Sequence, residues 1–283
     1  MNEPLVSVIC LCYNHERFVK EAIRSVSGQT YPNVQLVVVD DHSTDQSVES
    51  ISKTLSGYPS AEFIPLSTNQ GNCRAFNKGL ARAKGDFIID LSADDVLMAD
   101  RIEKGINVFQ SAGEQVGVNF SDAQLIDDKG EILGYHSDRF PHLSVPQGNI
   151  YIDVLERYFI NGPTMMMRRK VLEALSGYDE ALAYEDFDFW VRSSRKFDYC
   201  YTPEALVKRR ILSGSLGQKQ YRKGTLQLRS TLRVCAKAMA LNRTSEEHSS
   251  LKKRIYYEMR QAFRLGEMSI VWDYLNLFRR IPR

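Results

Sequence analysis

The segment Val6-Ser7-Val8-Ile9-Cys10-Leu11-Cys12 is short, rich in residues that favour strands, and apolar on both faces. This pattern predicts a parallel β-strand that is buried on both sides. A polar turn, Tyr13-Asn14-His15, follows it, and residues 16–28 then carry apolar side chains at helical spacing. Because Gly28 is a typical helix terminator, these residues predict a strand–turn–helix unit.

The same alternation continues to residue 91. Further strands are predicted over 34–39, near 63–66 and over 86–91, and helices over 46–55 and 73–83. Short connections between alternating strands and helices predict right-handed βαβ units, and therefore an α/β fold with a mostly parallel sheet flanked by helices. Ligands of such sheets bind beyond the carboxyl ends of the strands, so the loops that follow the strands are the expected place for a site.

The second half of the chain has a different pattern. Strands are predicted over 120–125, 131–134 and 162–168, and shorter helices over 150–158, 170–175 and 185–196. Beyond Gly217 the chain is predicted to be helical, over 224–241 and 249–278. The sheet is therefore expected to be mixed, with a helical C-terminal extension.

The composition excludes several classes of protein. The 283 residues are 43% hydrophobic and 25% charged, which is too apolar for a disordered chain. No apolar run reaches the roughly 18–20 residues that a membrane-spanning helix needs. The residues Met1–Pro4 lack a basic region, so no secretory signal is expected, and five cysteines without a CxxC spacing indicate a reducing compartment. We expect a cytoplasmic globular protein.

The charges are distributed unevenly along the chain. Residues 208–283 hold 18 Lys and Arg but 5 Asp and Glu, whereas residues 1–207 hold 19 basic and 30 acidic side chains. A basic tail of this kind predicts contact with an anionic lipid surface, a nucleic acid or an anionic substrate. Packing of the tail on the core or on a second subunit is the alternative.

Two acidic pairs follow predicted strands. Asp94-Asp95 ends a buried strand, where two neighbouring carboxylates would be stabilised by a hard divalent cation such as Mg²⁺ or Mn²⁺. Asp40-Asp41 ends another, and an acidic residue in that place can accept hydrogen bonds from a base or a ribose in nucleotide-binding folds. Turn formation and helix capping are the alternative interpretation of both pairs.

A third acidic segment, Glu185-Asp186-Phe187-Asp188-Phe189-Trp190, begins a predicted helix. The helix dipole favours anions there, which accounts for the acids without any function. The functional alternative is a general base among aromatic side chains, since burial can tune the pKa of a carboxyl group.

Taken in order, these segments resemble the family 2 glycosyltransferases of the GT-A fold, which build bacterial surface polysaccharides. The resemblance covers about residues 5–215. It rests on the following segments: Val6-Ser7-Val8-Ile9, Tyr13-Asn14, Ser27-Gly28-Gln29-Thr30-Tyr31-Pro32, residues 37–45, Asn69-Gln70-Gly71, Asn77-Lys78-Gly79-Leu80, Ala83-Lys84-Gly85-Asp86, Asp94-Asp95, and Glu185-Asp186 with Trp190 and Arg192. The resemblance implies a GT-A domain over 1–215, with a nucleotide-sugar half (1–100) and an acceptor half (101–215), and a basic helical extension over 216–283.

The resemblance also implies roles for single residues. Asp41 contacts the base, expected to be uracil, and Asp40 lines the same pocket; Asp94 lies on the ribose side and Asp95 binds the metal at the donor diphosphate. Asp186 is implied as the catalytic base. The remaining residues implied on the donor side are Cys12, Tyr13, Asn14, Gly71 and Arg210, the last as a ligand of the diphosphate. Gly162-Pro163-Thr164 and Gly177-Tyr178 resemble acceptor-side segments, although turn geometry also explains them.

Two positions depart from the family pattern. Many members have an Asp two places before Asp94, where this chain has Ser92, and many have a histidine where this chain has Leu212. Asp95 is therefore expected to carry most of the metal binding, with fewer protein ligands than usual.

The expected activity is transfer, with inversion, from a nucleoside-diphosphate sugar, expected to be a UDP-sugar, to a saccharide or lipid-linked saccharide acceptor, with Mn²⁺ or Mg²⁺. Peripheral contact with the inner face of the bacterial plasma membrane and a homodimer are further expectations; nucleic acid is not an expected partner. Two alternatives stay open: a sugar-phosphate nucleotidylyltransferase, for which the turn at 12–16 lacks a Gly-rich phosphate loop, and a nucleic-acid binder that uses the basic tail.

Overall fold

The computed structural model describes residues 3–140, 144–212 and 221–282. The chain forms two compact units. The first consists of Met1–Gly148, Ile160–Tyr178 and Phe197–Ile211, and the second of Asn149–Phe159, Asp179–Lys196 and Leu212–Arg283. These units do not coincide with the division at residue 215, which stays a prediction from the sequence.

The first unit is built on a mixed sheet. Its strands are β1 (Val6–Cys12), β2 (Val34–Asp40), β3 (Glu62–Pro65), β4 (Phe87–Ser92), β5 (Val96–Leu97), β6 (Val116–Ile126), β7 (Ile132–Tyr135), β8 (Met166–Arg168) and β9 (Asp198–Arg210). They are arranged in the order β3-β2-β1-β4-β8-β6-β9-β5, and β7 pairs with β6. Strands β1 to β4 are parallel, as the alternating sequence pattern predicts, and β8 enters antiparallel to β4.

Helices connect the parallel strands. They are α1 (Val19–Ser27), α2 (Ser47–Leu55) and α3 (Asn72–Leu80); α4 (Arg101–Ser111) follows β5, and α6 (Arg169–Leu175) follows β8. β1 is buried at every position, which explains why its sequence is apolar on both faces. Its side chains Val8 and Cys10 join those of α1, such as Ala22 and Ile23, in one hydrophobic core.

The second unit is helical. It contains α5 (Tyr151–Glu156), α7 (Asp186–Ser193), α8 (Leu226–Leu241), α9 (Ser245–Arg264) and α10 (Met268–Arg280). A capping box begins α9, where the Thr244 hydroxyl accepts from the Glu247 N–H and the Glu247 carboxylate accepts from the Thr244 N–H. None of the described helices is both long and apolar enough to cross a bilayer.

The structure differs from the sequence predictions in several places. The strand predicted over 162–168 is shorter, because Gly162–Thr164, which includes Pro163, forms a 3-10 turn and β8 starts only at Met166. The helix predicted over 249–278 is two helices, since Gly266 has a φ of +73° between them. The long strand β9 was not predicted at all.

Gly85 lies close to the backbone of Leu5 and Ser7, and this allows a test of the fold. An added Cβ would lie 2.5 Å from the Ser7 nitrogen and 2.7 Å from the Leu5 oxygen, both backbone atoms that cannot rotate away. We expect Gly85→Ala to destabilise the protein by about 1–3 kcal/mol or more through overpacking. Thermal unfolding followed by circular dichroism measures this, and Gly57→Ala is the matched control, because its Cβ would meet nothing closer than 3.7 Å. Equal melting temperatures for both variants would contradict the prediction.

Candidate active site

The two acidic pairs lie at the same edge of the sheet. β1 is hydrogen-bonded to β2 on one side and to β4 on the other, all parallel. The register pairs Cys12 with Asp40 and Leu11 with Ser92. The loops that carry Asp41 and Asp94 therefore leave the sheet on either side of the end of β1, which is the carboxyl edge where ligands of α/β sheets bind.

Asp40 shapes the loop that follows β2. Its buried carboxylate accepts hydrogen bonds from the Ser43 N–H at 2.9 Å and from the Ser43 hydroxyl at 2.5 Å. Between them His42 has a left-handed backbone, with a φ of +63°. These contacts make Asp40 part of the turn after β2, which is the turn-forming alternative drawn from the sequence.

Asp41 connects three segments of chain. Its backbone N–H donates to the Cys12 carbonyl at 2.8 Å. Its carboxylate oxygens each accept a backbone N–H, from Gln70 at 2.7 Å and from Gly71 at 2.8 Å. Each carboxylate oxygen has a second lone pair, so Asp41 can still accept a hydrogen bond from a ligand.

The turn after β1 closes the other side of this loop. Asn14 has a φ of +57°, and its side-chain oxygen accepts from the Thr44 N–H at 2.8 Å. Burial raises the pKa of the Cys12 thiol to about 12, so the thiol stays neutral at physiological pH. The Cys12 carbonyl accepts the hydrogen bond from the Asp41 N–H. Tyr13 is 45% exposed, and its ring is available to stack on a ligand.

Asp94 and Asp95 form a buried acidic pair after β4. Asp94 accepts from the Ser92 hydroxyl at 2.5 Å, and Asp95 accepts from the Arg210 backbone N–H at 2.8 Å. Burial, followed by the neighbouring charge of Asp94, raises the pKa of the Asp95 carboxyl well above its ordinary value, although the charges of Arg209 and Arg210 oppose this. A bound cation would remove this repulsion.

The arrangement suits a divalent ion that brings ligands with its substrate. Among the residues that the structure describes, no group of three or more His, Cys, Asp or Glu side chains is arranged to hold a metal by itself. Mg²⁺ and Mn²⁺ accept one or two carboxylates together with phosphate oxygens. The buried oxygens of Asp95 and Asp94 therefore fit a cation that is completed by a diphosphate.

Arg210, which the sequence suggested as a diphosphate ligand, supports the acidic pair in this structure. Its buried guanidinium donates to the Asp94 carbonyl at 3.0 Å, to the Asp127 carbonyl at 3.0 Å and to the Glu21 carboxylate at 2.7 Å. It also lies 4.6 Å from the centre of the Phe18 ring. These contacts favour a positioning role for Arg210.

His15 is a candidate that the sequence interpretation missed. Its Nε2 lies 3.9 Å from an Asp94 carboxylate oxygen, and its backbone N–H donates to the Ser47 hydroxyl at 3.0 Å. The sequence feature that could have indicated His15 is its position directly after Asn14, in the turn expected to contact the nucleotide. The structure thus brings the His15 side chain close to the acidic pair.

Asp186 is the first residue of α7, in the second unit. The helix is held by its second acid: buried Asp188 pairs with Arg192 at 2.6 Å and with Lys237 of α8 at 2.6 Å. Lys237 also pairs with Asp179 at 2.5 Å. Asp186 therefore begins a short helix whose orientation within this unit is held by ion pairs to the buried Asp188.

The segments that resembled acceptor-binding stretches make core contacts. The Thr164 carbonyl accepts from the Arg101 guanidinium at 2.7 Å. The Tyr178 ring stacks on Phe76 at 4.1 Å, and its hydroxyl donates to Asp90 at 3.2 Å. These contacts favour the interpretation of both segments as turns that serve the fold.

Two surface grooves lie away from these acids. One of about 730 Å³ is lined by α1 and α2, including Lys20 and Lys53. Another of about 610 Å³ lies at the amino end of β4, beside Phe87 and Arg168. Neither contains the side chains whose chemistry is described above, so groove size does not identify the site.

Comparison with known proteins gives a family. The family model described as glycosyl transferase family 2 matches residues 7–176. An uncharacterized glycosyltransferase of Rickettsia prowazekii is 30% identical over 210 residues, which are 74% of this chain and 64% of that protein. One from Haemophilus influenzae is 33% identical over 150 residues, 53% of this chain and 60% of that protein. The chain spans about a third to two thirds of the length of the first curated relatives that it matches.

Solved structures share the fold at low sequence identity. The mannosyltransferase PcManGT from Pyrobaculum calidifontis, in complex with GDP-Man and Mn²⁺, has a TM-score of 0.71 at 16% identity over 98% of this chain and 74% of that one. Residues 1–349 of TarS from S. aureus, in complex with UDP-GlcNAc, have a TM-score of 0.72 at 16% identity over 98% of this chain and 82% of that one. At this identity the likeness shows the fold alone.

Proposed function

The chain belongs to glycosyltransferase family 2, and we propose that it transfers a sugar from a nucleoside-diphosphate sugar to an acceptor hydroxyl. The family and the GT-A fold expected from the sequence are both confirmed. The observation that carries the proposal is the position of the two acidic segments. Asp41 and the Asp94–Asp95 pair follow the two strands that flank β1, at one edge of the sheet. A nucleotide at one loop and its diphosphate at the other would span this edge.

The proposed donor is a UDP-sugar. A carboxylate accepts a hydrogen bond from the imino N–H of uracil, and Asp41 keeps lone pairs for it while Gln70 and Gly71 hold it in place. Cys12, Tyr13, Asn14 and Asp40 complete the proposed pocket. Of the fold neighbours, TarS has been solved with UDP-GlcNAc and PcManGT with GDP-Man, so both nucleotides belong in the test.

The proposed metal ligand is Asp95, with Asp94 beside it on the ribose side. When bound, Mn²⁺ or Mg²⁺ supplies a Lewis acid that stabilises the negative charge of the departing diphosphate. The chain's own contribution is to hold the two carboxylates: Ser92 donates to Asp94, and the Arg210 backbone donates to Asp95. A histidine in place of Leu212 is not needed for this arrangement.

The proposed base is Asp186. It would accept the proton of the acceptor hydroxyl while that oxygen bonds to the anomeric carbon and the nucleoside diphosphate leaves. With no nucleophile on the enzyme, an α-linked donor gives a β-linked product, an inversion. Support comes from the Glu185-Asp186 segment with Trp190 and Arg192, and from the ion pairs that fix α7.

The proposed acceptor is a saccharide or lipid-linked saccharide of polysaccharide or lipopolysaccharide biosynthesis. We propose the same domain division as the sequence suggested, 1–215 for catalysis and 216–283 as a basic extension, and a cytoplasmic location with peripheral membrane contact. A homodimer belongs to the same proposal.

A thermal-shift experiment tests the proposed donor. We expect UDP with Mn²⁺ to raise the melting temperature more than either alone, because the proposed cation site is completed by the diphosphate. A ligand that binds the folded state and is present at a hundred times its Kd adds about 2.7 kcal/mol of stability. GDP, nucleoside triphosphates and sugar phosphates are compared at equal concentration. Stabilisation by triphosphates and sugar phosphates, but not by UDP, would indicate a nucleotidylyltransferase and contradict the proposal.

A further inference from the structure

The second unit has a surface of unusual composition on α9. From Lys253 to the end of the helix the exposed side chains are Lys253, Tyr256, Tyr257, Arg260, Phe263 and Arg264. Every one of them is basic or aromatic. At the 100° that each helical residue turns, they share one face of roughly a third of the helix circumference. We call this surface, with its continuation on α10, the aromatic–basic face.

The acids of α9 are kept away from this face. Glu247 is buried and pairs with Arg195 at 2.9 Å. Glu258 is buried, pairs with Arg254 at 3.3 Å and accepts from the Tyr221 hydroxyl at 3.1 Å. Only Glu246, in the first turn of the helix, is an exposed acid of α9. The helix thus exposes most of its cations and buries two of its three carboxylates.

The face continues onto α10. The two helices are joined by a short turn at 265–267, and the Lys252 amine donates to the Pro282 carbonyl at 2.8 Å, so they run antiparallel side by side. Exposed Met268 and Trp272 follow the turn, and exposed Arg279 and Arg280 end the helix; Asp273 is its exposed acid. Five of the eleven exposed large apolar side chains among the described residues lie between 256 and 272.

These properties favour one kind of partner. Exposed apolar patches with a polar rim mark interaction sites, and aromatic side chains beside Lys and Arg are typical of helices that lie in an anionic membrane surface. Phe263 is 64% exposed and Trp272 is 57% exposed, so both offer apolar area to the boundary between lipid headgroups and acyl chains. A second copy packed through the same face would bring cations against cations, which costs energy.

We propose that the aromatic–basic face binds the surface of an anionic lipid bilayer, with α9 and α10 lying in the plane of the interface. The cations contact the lipid phosphates, and Tyr256, Phe263 and Trp272 insert at the level of the headgroups. This inference names the surface for the membrane contact in the proposed function. Donor binding does not depend on it, so the two can fail separately.

Vesicle flotation with the full chain tests the proposal. We expect the protein to float with vesicles of 70% phosphatidylcholine and 30% phosphatidylglycerol, and not with vesicles of phosphatidylcholine alone. Raising the salt from 0.1 to 0.5 M is expected to reduce binding, since the Debye length falls below about 5 Å. Equal flotation with both vesicle types would overturn the role of the cations.

Paired variants identify the surface. Arg260→Glu with Arg264→Glu, and separately Phe263→Ser with Trp272→Ser, are each expected to lower the vesicle partition coefficient at least tenfold. Lys20→Glu with Lys53→Glu has the same charge change on exposed residues of α1 and α2, and Ile132→Ser with Leu133→Ser removes side chains that are 61% and 59% exposed on β7. Neither control is expected to change the partition coefficient, and melting curves check that each variant is folded.

Three outcomes would overturn the proposal. The first is that the control substitutions reduce flotation as much as the paired substitutions on the aromatic–basic face do. The second is salt-dependent binding to a 30-base duplex DNA or RNA, with no flotation. The third is a dimer in light scattering that the Phe263 and Trp272 substitutions dissociate, with no flotation. In each case UDP binding is measured on the same sample, so that loss of the membrane contact is distinguished from loss of the donor site.

Discussion

Asp186→Asn is expected to lower turnover by about 10²–10⁴-fold, because the amide cannot accept the proton of the attacking hydroxyl. Affinity for UDP with Mn²⁺ is expected to stay near the wild-type value, since the proposed donor contacts lie at the carboxyl edge of β1, β2 and β4. The measurement is release of UDP from a panel of UDP-hexoses, with calorimetric titration of UDP on the same preparations.

Two neighbouring acids provide matched controls for Asp186. Glu185→Gln makes the same change one residue earlier and is expected to retain most of the turnover. Asp188→Asn removes the charge that pairs with Arg192 and Lys237, so it is expected to lower the melting temperature as well as activity. If Asp186→Asn keeps normal turnover, or if Glu185→Gln loses as much, Asp186 is not the base.

Asp95→Asn is expected to have opposite effects on the free protein and on the complex. Because burial and Asp94 raise the pKa of Asp95 in the folded state, its contribution to stability is present at low pH and is lost as pH rises through that pKa. An asparagine avoids this loss, so the free variant is expected to melt at a higher temperature than wild type at pH 7 and at the same temperature or lower near pH 4.

The same substitution is expected to remove the stabilisation by Mn²⁺ with UDP and to lower turnover about a hundredfold or more, since a Lewis acid contributes several kcal/mol at the leaving group. Melting curves of both proteins at several pH values, with and without Mn²⁺ and UDP, measure both effects. Asp128→Asn, an exposed acid paired with Arg17, is the control. A variant that is less stable when free, yet is still stabilised by Mn²⁺ with UDP, would contradict the assignment of Asp95.

The parallel half of the sheet could be predicted from sequence because its signals are local. β1 and β2 are short apolar segments, α1 has apolar residues at helical spacing, and turn residues separate the three. The right-handedness of βαβ units then orders the strands. The acidic pairs Asp40-Asp41 and Asp94-Asp95 could be placed at one edge for the same reason. The sequence alone thus predicts the position of this acidic edge.

Strand β9 could not be predicted because its pairing is distant. It pairs in parallel with β6, some 80 residues earlier, and mixes charged and apolar residues without a regular alternation. Arg210, at its end, is implied as a diphosphate ligand by the family resemblance, which does not indicate where its guanidinium lies. Only the structure shows its guanidinium on the carbonyls of Asp94 and Asp127.

The ion pairs that hold α7 were also beyond the sequence. Lys237 is 49 residues from Asp188, and nothing in the periodicity of α8 distinguishes it from a solvated cation. The aromatic–basic face of α9 shows a similar limit: the sequence showed a basic aromatic tail, but not that Glu247 and Glu258 are inside and that Phe263 is outside.

The central claim is that the loops after β2 and β4 form one donor site, and calorimetric titration of UDP at fixed Mn²⁺ tests it most directly. The account predicts binding to wild type that requires Mn²⁺, and binding weakened at least about tenfold by Asp41→Asn as well as by Asp95→Asn, since each removes a charge-assisted contact. Unchanged affinity in both variants would contradict it.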